Sequence, residues 1–167
     1  LGTAATRFRD QPEVEAALKQ SLAITLFKLG LPAQAVAPIA DAVRLRTAAQ
    51  GAEAPGTLES RFWAARVAAA TATSERDRAA VEAPMRETME TMRRALGESH
   101  PQTIFAMRSM AEWLDEQGRR DDAIALWEQA LAKARATLDP VDTSAVQIAA
   151  GLAYAQAAAG RPERALE

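Results

Sequence analysis

The chain contains one histidine, His100, and no cysteine, so any metal site would have to be assembled from carboxylates around a single imidazole. Glu98 and Asp139 are the acids to consider, and with His100 they make no recognisable ligand spacing. His100 reads instead as part of a linker between helices. Asp115-Glu116 and Asp121-Asp122 form an acidic cluster across a turn, but it lacks the alternating oxygen spacing of a calcium loop and reads as a solvated turn. The pairs Arg93-Arg94 and Arg119-Arg120 are too short for a nucleic-acid patch. The sequence has no glycine-rich phosphate loop, no nucleophile elbow, and no histidine placed beside a serine and a carboxylate. The expectation is a protein that is not an enzyme and needs no cofactor or metal, so that its chemistry lies in recognition.

The elements that would present such a surface recur along the chain. Gly30, Gly118 and Gly160 are each followed five positions later by an alanine: Ala35, Ala123 and Ala165. Met110-Ala111 and Leu152-Ala153, ahead of two of these turns, stand 42 residues apart. Breaks fall at Gly51, Gly97 and Asp139, each 21 residues after Gly30, Arg76 and Gly118 in turn. A unit of this length that is helical in both halves predicts a helix–turn–helix solenoid.

Bulk properties agree. Hydrophobic residues make up 49% of the 167 positions, yet aromatics only 5%, because alanine dominates. Alanine favours helix and lets helices approach closely, leaving leucine, methionine and tryptophan to supply most of the burial energy. The net charge of −2 and isoelectric point near 5.6 provide no global field for nucleic acid or anionic lipid. No apolar run approaches the length needed to span a bilayer, and no signal peptide opens the chain. The sequence starts at Leu1 without a methionine and stops at Ala165-Leu166-Glu167, where a helix should have just begun, so the expectation is an excerpt of a longer protein. The compartment is open: cytoplasm is the expectation, or an extracytoplasmic site if the parent chain carries a membrane segment.

Read along the chain, residues 1–9 are expected to be the tail of an upstream element. Asp10 offers an N-cap to a first helix that reaches about Leu29, with Val14, Leu18, Leu22 and Leu26 at four-residue spacing. Pro32 opens a second helix with an inner face of Val36, Ile39 and Val43, and Pro38 lies close enough to its start to allow a bend without requiring a break. A third helix is expected from about Leu58. The following turn is placed near Ala72 counting forwards and near Arg76 counting backwards, and Ser74 with Asp77 forms a capping-box-like restart. Pro84 should kink the fourth helix, whose inner stripe is Met85, Met89, Met92 and Leu96. Ser99 is expected to cap the fifth helix, opened by Pro101 and lined by Ile104, Met107, Met110, Ala111 and Leu114. Asp121 or Asp122 begins the sixth, with Ala123, Trp127, Ala130 and Leu131 facing inwards, and Asp142 caps a seventh through Val146, Ala149, Leu152 and Ala153. Arg161-Pro162-Glu163 starts an eighth. Trp127 reads as core; Trp113, off the main stripe, points to a protomer interface or a missing repeat; Trp63 has no clear placement.

The order small residue, turn glycine, alanine, bulky residue, alanine in Ala111, Gly118, Ala123, Trp127 and Ala130 resembles the tetratricopeptide repeat. The linker Leu96-Gly97-Glu98-Ser99-His100-Pro101-Gln102-Thr103 resembles the Leu-Gly-x-x-His-Pro-x-Thr signature of the longer, 42-residue kinesin-light-chain type. Gln50 to Thr57 is a weaker copy without the histidine, and Leu138 to Thr143 a shortened one. The opening Asp10-Gln11-Pro12-Glu13-Val14 is similar to stretches that introduce such arrays in bacterial signalling proteins, including serine/threonine kinases with repeat tails, although no kinase residue is present.

The resemblance implies an all-α, right-handed α-solenoid of about three and a half antiparallel helix pairs, in units of about 10–50, 57–97, 102–138 and a truncated 142–167. It also implies a concave groove, lined by the first helix of each pair, that binds a peptide or protein segment. The family's groove positions fall on Phe105, Arg108, Glu112 and Asp115, on Gln147, Ala150 and Tyr154, and on Gln20, Ile24 and Phe27. The structural alternative is that Phe27 and Phe105 pack between neighbouring helices. The expected function is protein–protein interaction, scaffolding or regulatory within a larger protein. Self-assembly or intramolecular docking is a rival, with a homo-oligomer as its product; an accessory region of an enzyme whose catalytic domain lies elsewhere is another. Nucleic acid and membrane are not expected partners.

Overall fold

The computed structural model describes residues 11–137, 139, 142–161 and 163. Among these are seven helices and no strand: α1 (Pro12–Lys28), α2 (Pro32–Gln50), α3 (Pro55–Thr71), α4 (Glu75–Leu96), α5 (Pro101–Glu116), α6 (Arg120–Thr137) and α7 (Thr143–Ala158). They fall into two compact units that divide after Ala95.

In the first unit α1 packs on α2 and α2 on α3, with α1 also touching α3. The buried residues of α1 are Ala16, Gln20 and Ala23, and those of α2 are Ala35, Ile39 and Ala42. With so little bulk at these positions, the helices are held close by alanine, and dispersion over many short contacts replaces large side chains. A polar strut ties the three together: Gln20 Oε1 accepts from Arg46 Nη1 at 2.8 Å and from Ser60 Oγ at 2.6 Å, and Arg46 also donates to the Gly56 carbonyl at 2.6 Å. Larger residues enter with α3, where Leu58, Phe62 and Val67 are buried, and α4, where Val81, Met85, Met89 and Met92 are.

The second unit is built from bulkier material. α5 packs on α6, α6 on α7, and α5 also reaches α7. Ile104, Met107, Met110, Trp113 and Leu114 of α5 are buried, as are Ala123, Ile124, Trp127 and Ala130 of α6.

Three turns close in the same way. At Gly118 (φ +77°) the Arg119 amide donates to the Leu114 carbonyl and the Gly118 amide to Asp115, both at 2.9 Å. The turns at Gly30 and Gly160 repeat this pair of bonds, with φ +75° at each. This Schellman-type closure satisfies the last carbonyls of one helix and needs a left-handed residue that glycine supplies without strain. The linker prolines also recur: Pro55 and Pro101 open α3 and α5, and two residues later Thr57 and Thr103 are both fully buried.

Several details depart from the sequence expectation. The four-residue spacing of Val14, Leu18 and Leu22, to which the sequence assigns no face, marks a solvent face of α1; they are 40%, 53% and 51% exposed. Alanine allows a closer helix approach than leucine, so α1 turns its Ala16–Gln20–Ala23 face to its neighbours. The same substitution of faces occurs on α2, where Val36 is exposed and Ala35 buried; on α7 the buried face is also shifted, Val146 and Ala149 being exposed and Ala145, Ile148 and Ala155 buried with Leu152. α3 begins at Pro55 rather than Leu58, because proline is suited to the first helical turn. α6 begins at Arg120, just before Asp121. Gln11 stands at the N-cap of α1, and Asp10 lies outside the described residues. His100, not Ser99, caps α5: its Nδ1 accepts from the Gln102 amide at 3.2 Å. Trp113 is buried within the chain, and Trp63 finds its place against Phe27.

Other details agree. α2 runs through Pro38 without a break. The Ser74–Asp77 box forms reciprocally, the Asp77 amide donating to Ser74 Oγ at 3.1 Å and the Ser74 amide to Asp77 Oδ2 at 3.3 Å. Asp142 caps α7 through Ser144 at 2.7 Å. The expected tail at 1–9, residues 162 and 164–167 of the helix expected from Arg161, and half of the shortened linker (138, 140 and 141) lie outside the described residues.

Candidate functional site

The second unit carries a recess of about 510 Å³ between α5 and α7. From α5 it receives Arg108, Glu112, Asp115 and Glu116, and from α7 Gln147, Ala150, Gly151 and Tyr154, while Trp127 of α6 lies between. Four-residue spacing along α5 explains the first set: Arg108, Glu112 and Glu116 succeed one another on one face, opposite the stripe that carries Met107, Met110 and Leu114 into the core.

The α5 wall is internally organised. Arg108 is only 13% exposed; it donates to Glu112 Oε1 at 2.7 Å and lies over the Phe105 ring at 5.2 Å. Asp115 accepts from Arg120 at 2.9 Å, and Arg120 also reaches the Ala158 carbonyl at 3.2 Å, pinning the start of α6 to the end of α7. The α7 wall differs. Gln147 and Ala150 are exposed, and Tyr154 is 68% exposed, an unusual position for the chain's only tyrosine. The floor depends on Gly151: a Cβ there would stand 2.5 Å from two atoms of the Trp127 ring, so the indole lies directly against the α7 backbone. Glycine in mid-helix costs about 1 kcal/mol relative to alanine; here it admits the ring.

Of the residues placed in the groove by resemblance, Arg108, Glu112, Asp115, Gln147, Ala150 and Tyr154 are brought together in this recess. Phe105 stands behind it, stacked on Arg108. The first-unit residues are engaged otherwise. Gln20 is buried in its strut with Arg46 and Ser60, Ile24 is half-buried, and Phe27 meets Trp63 edge-on at 5.8 Å with Arg66 over both rings. Glu116, Gly151 and the recess-lining role of Trp127 were not anticipated. A glycine inside the otherwise alanine-rich α7 was the available signal for the second.

Titration is perturbed at structural positions of the first unit. Asp41 is held below the usual carboxylate range by hydrogen bonds from Lys19 and then Arg44, and Asp77 by those from Ser74. No group of three or more acidic, histidine or cysteine side chains able to hold a metal occurs among the described residues.

Paired helices with repeated glycine turns define the class: an all-α helical-repeat fold of the solenoid type. Its repeats are more particularly tetratricopeptide-like, since residues 85–136 match the tetratricopeptide repeat family model. A kinesin-light-chain-like protein of Podosopora anserina, built of nearly identical tetratricopeptide-like repeats, aligns at TM-score 0.76 and 21% identity over 93% of this chain and 71% of its own. BtubC (BKLC) of P. vanneervenii aligns at TM-score 0.74 and 19% identity over 93% of this chain and 60% of its own. At such identities the likeness is one of fold, and the fold is that of kinesin-light-chain-like repeats. No curated protein sequence matches the chain.

Proposed function

We propose that this chain is a non-catalytic interaction module that binds a peptide or protein segment in the recess between α5 and α7, in a scaffolding or regulatory role. The observation that carries this reading is the concave site itself, where exposed Tyr154 and Gln147 face the charged wall of Arg108, Glu112, Asp115 and Glu116. Helical repeat folds of this kind generally serve as interaction modules. An exposed aromatic beside ordered polar groups is the composition that recognition sites favour. Among the described residues no helix is long and apolar enough to cross a membrane, and protein is the partner class proposed.

The test is selection of binding peptides from a displayed random library, followed by affinity measurement on Tyr154→Ala and Gln147→Ala. Both positions are exposed, so melting should not change while affinity falls. Peptides that bind both variants as tightly as the parent would remove the recess from consideration.

A second reading, pairing with another copy of the chain, is favoured by the exposed stripe Val14, Leu18 and Leu22 on α1. Light scattering across a concentration series separates the two readings. A monomer at all concentrations rejects pairing, and a dimer that dissociates on Leu18→Asp supports it.

A further inference from the structure

We infer that α1 pairs with α1 of a second copy of this chain, antiparallel about a two-fold axis near Ser21; this rests on the reading of the chain as self-pairing and gives that pairing its geometry. The first reason is where the exposed apolar residues lie. Val14, Leu18, Leu22 and Leu29 are 40%, 53%, 51% and 68% exposed. Helical periodicity sets all four on one side of α1, with Thr25 and the small Ser21 among them. Single exposed leucines are ordinary, whereas a continuous stripe along a 17-residue helix marks a contact face.

α7 shows what such a face accepts. Gly30 and Gly160 close α1 and α7 with the same pair of bonds, so the two helices align on these glycines. Leu18 and Leu22 then take the places of Ile148 and Leu152, and Thr25 that of Ala155, all three buried in α7. Ser21 takes the place of Gly151, which lies against the Trp127 ring of α6. α7 buries these positions where it packs on α5 and α6; on α1 they stay open to a helix from elsewhere.

Glu13 and Lys28 decide which helix fits. Both are exposed, one at each end of α1, and neither has a charged partner among the described residues. The other charged residues of α1, Glu15 and Lys19, pair with each other, and Lys19 also pairs with Asp41 of α2. A two-fold axis near Ser21 brings Glu13 of each copy within about one residue of Lys28 of the other along the helix. Each such pair lies where the N-terminal end of one helix meets the C-terminal end of its neighbour, so the dipoles agree with the charges. A parallel arrangement would set Glu13 beside Glu13 and Lys28 beside Lys28, where like charges repel. In the antiparallel one, Leu18 of one copy meets Leu22 of the other, and Ser21 leaves the backbones room to approach. One helix from each copy makes a small interface, so the dimer is weak and is best captured covalently.

The chain has no cysteine, so an introduced one reports only its own neighbours. Ser21→Cys, Val14→Cys and Leu29→Cys proteins are oxidised over a concentration series, singly and as a mixture of the last two. Disulfide-linked dimers are read by non-reducing gel and mass spectrometry. Ser21→Cys should link to itself. Val14→Cys should link to Leu29→Cys and not to itself, because the axis holds the two copies of Val14 about 20 Å apart. In analytical ultracentrifugation of the cysteine-free chain, Glu13→Lys and Lys28→Glu should each weaken the dimer by about 3- to 10-fold, and the two together should restore it. Val14→Cys linking to itself would show a parallel pair, overturning this geometry while pairing through α1 stands. A dimer that Ser21→Cys does not capture and Leu18→Asp leaves intact uses another face; the α1 contact is then overturned and self-pairing stands. A monomer with no disulfide at any concentration removes both, and leaves the α1 face to a different protein.

Discussion

The two units solve the same packing problem with different materials. In the second, Ile104, Met107, Met110, Trp113, Leu114 and Trp127 fill the space between helices, and on α5 the apolar stripe visible in sequence is the stripe that is buried. In the first, α1 and α2 meet through Ala16, Ala23, Ala35 and Ala42, while valines and leucines of the same helices stand in solvent. The difference shows that a regular leucine spacing identifies an apolar face and not which face will be covered. Where a second, alanine-bearing face permits closer approach, the alanines win, and a buried polar strut such as Gln20–Arg46–Ser60 fixes the register.

The sharpest way to break this comparison is a deletion in the bulk-filled unit. Met110→Ala empties a fully buried site and should cost about 2–5 kcal/mol, measured by denaturant unfolding. A loss near zero would mean that α5 and α6 do not depend on that side chain. Next comes a reciprocal pair in the alanine-packed unit. Ala23→Leu should cost about 1–3 kcal/mol by overpacking α1 against its neighbours, whereas Leu22→Ala, one residue away, should change stability by less than about 0.5 kcal/mol. Reversal of that order would return the core to the leucine stripe.

A smaller effect is expected at the one side chain that gives the strong linker its character. His100→Ala removes the acceptor for the Gln102 amide and should cost about 1 kcal/mol, as for other N-caps, while His100→Asn should restore most of it. Equal melting of all three proteins would make the histidine's cap irrelevant. The smallest effect concerns Asp41. Its pKa is depressed in the folded state by Lys19 and Arg44, so its contribution is complete above the ordinary aspartate range and is lost as pH falls through the lowered value. Solvent screens this pair, so Asp41→Asn should shallow the acid side of the stability curve only slightly. Melting curves between about pH 5 and about pH 2 would show it; a steeper acid limb in the variant would reverse the assignment.

Much of this architecture could be read from residues alone, for physical reasons. Gly30, Gly118 and Gly160 mark turns because their backbone conformation excludes most other residues. Ser74 with Asp77, and Asp142, mark helix starts because a short polar side chain can reach an otherwise unpaired amide. The faces of α1 and α7 could not be read in the same way: both helices are apolar on more than one side, and on α1 hydrophobicity alone does not rank alanine above leucine at a close contact. His100 resembled a linker residue, and its capping geometry depends on where Pro101 sets the first turn. In the recess, helical spacing located the α5 face, but the seating of Trp127 on Gly151 joins residues from different helices and appears only once α6 and α7 are side by side.

The matching bond pairs at Gly30, Gly118 and Gly160 also make the junctions interchangeable. A segment cut at Gly118 and Gly160 begins and ends on equivalent joints, so a duplicate of residues 119–160 inserted after Gly160 meets a compatible splice at either end. Chain length can therefore change in increments of 42 residues, the distance between those glycines, with no new connector to invent.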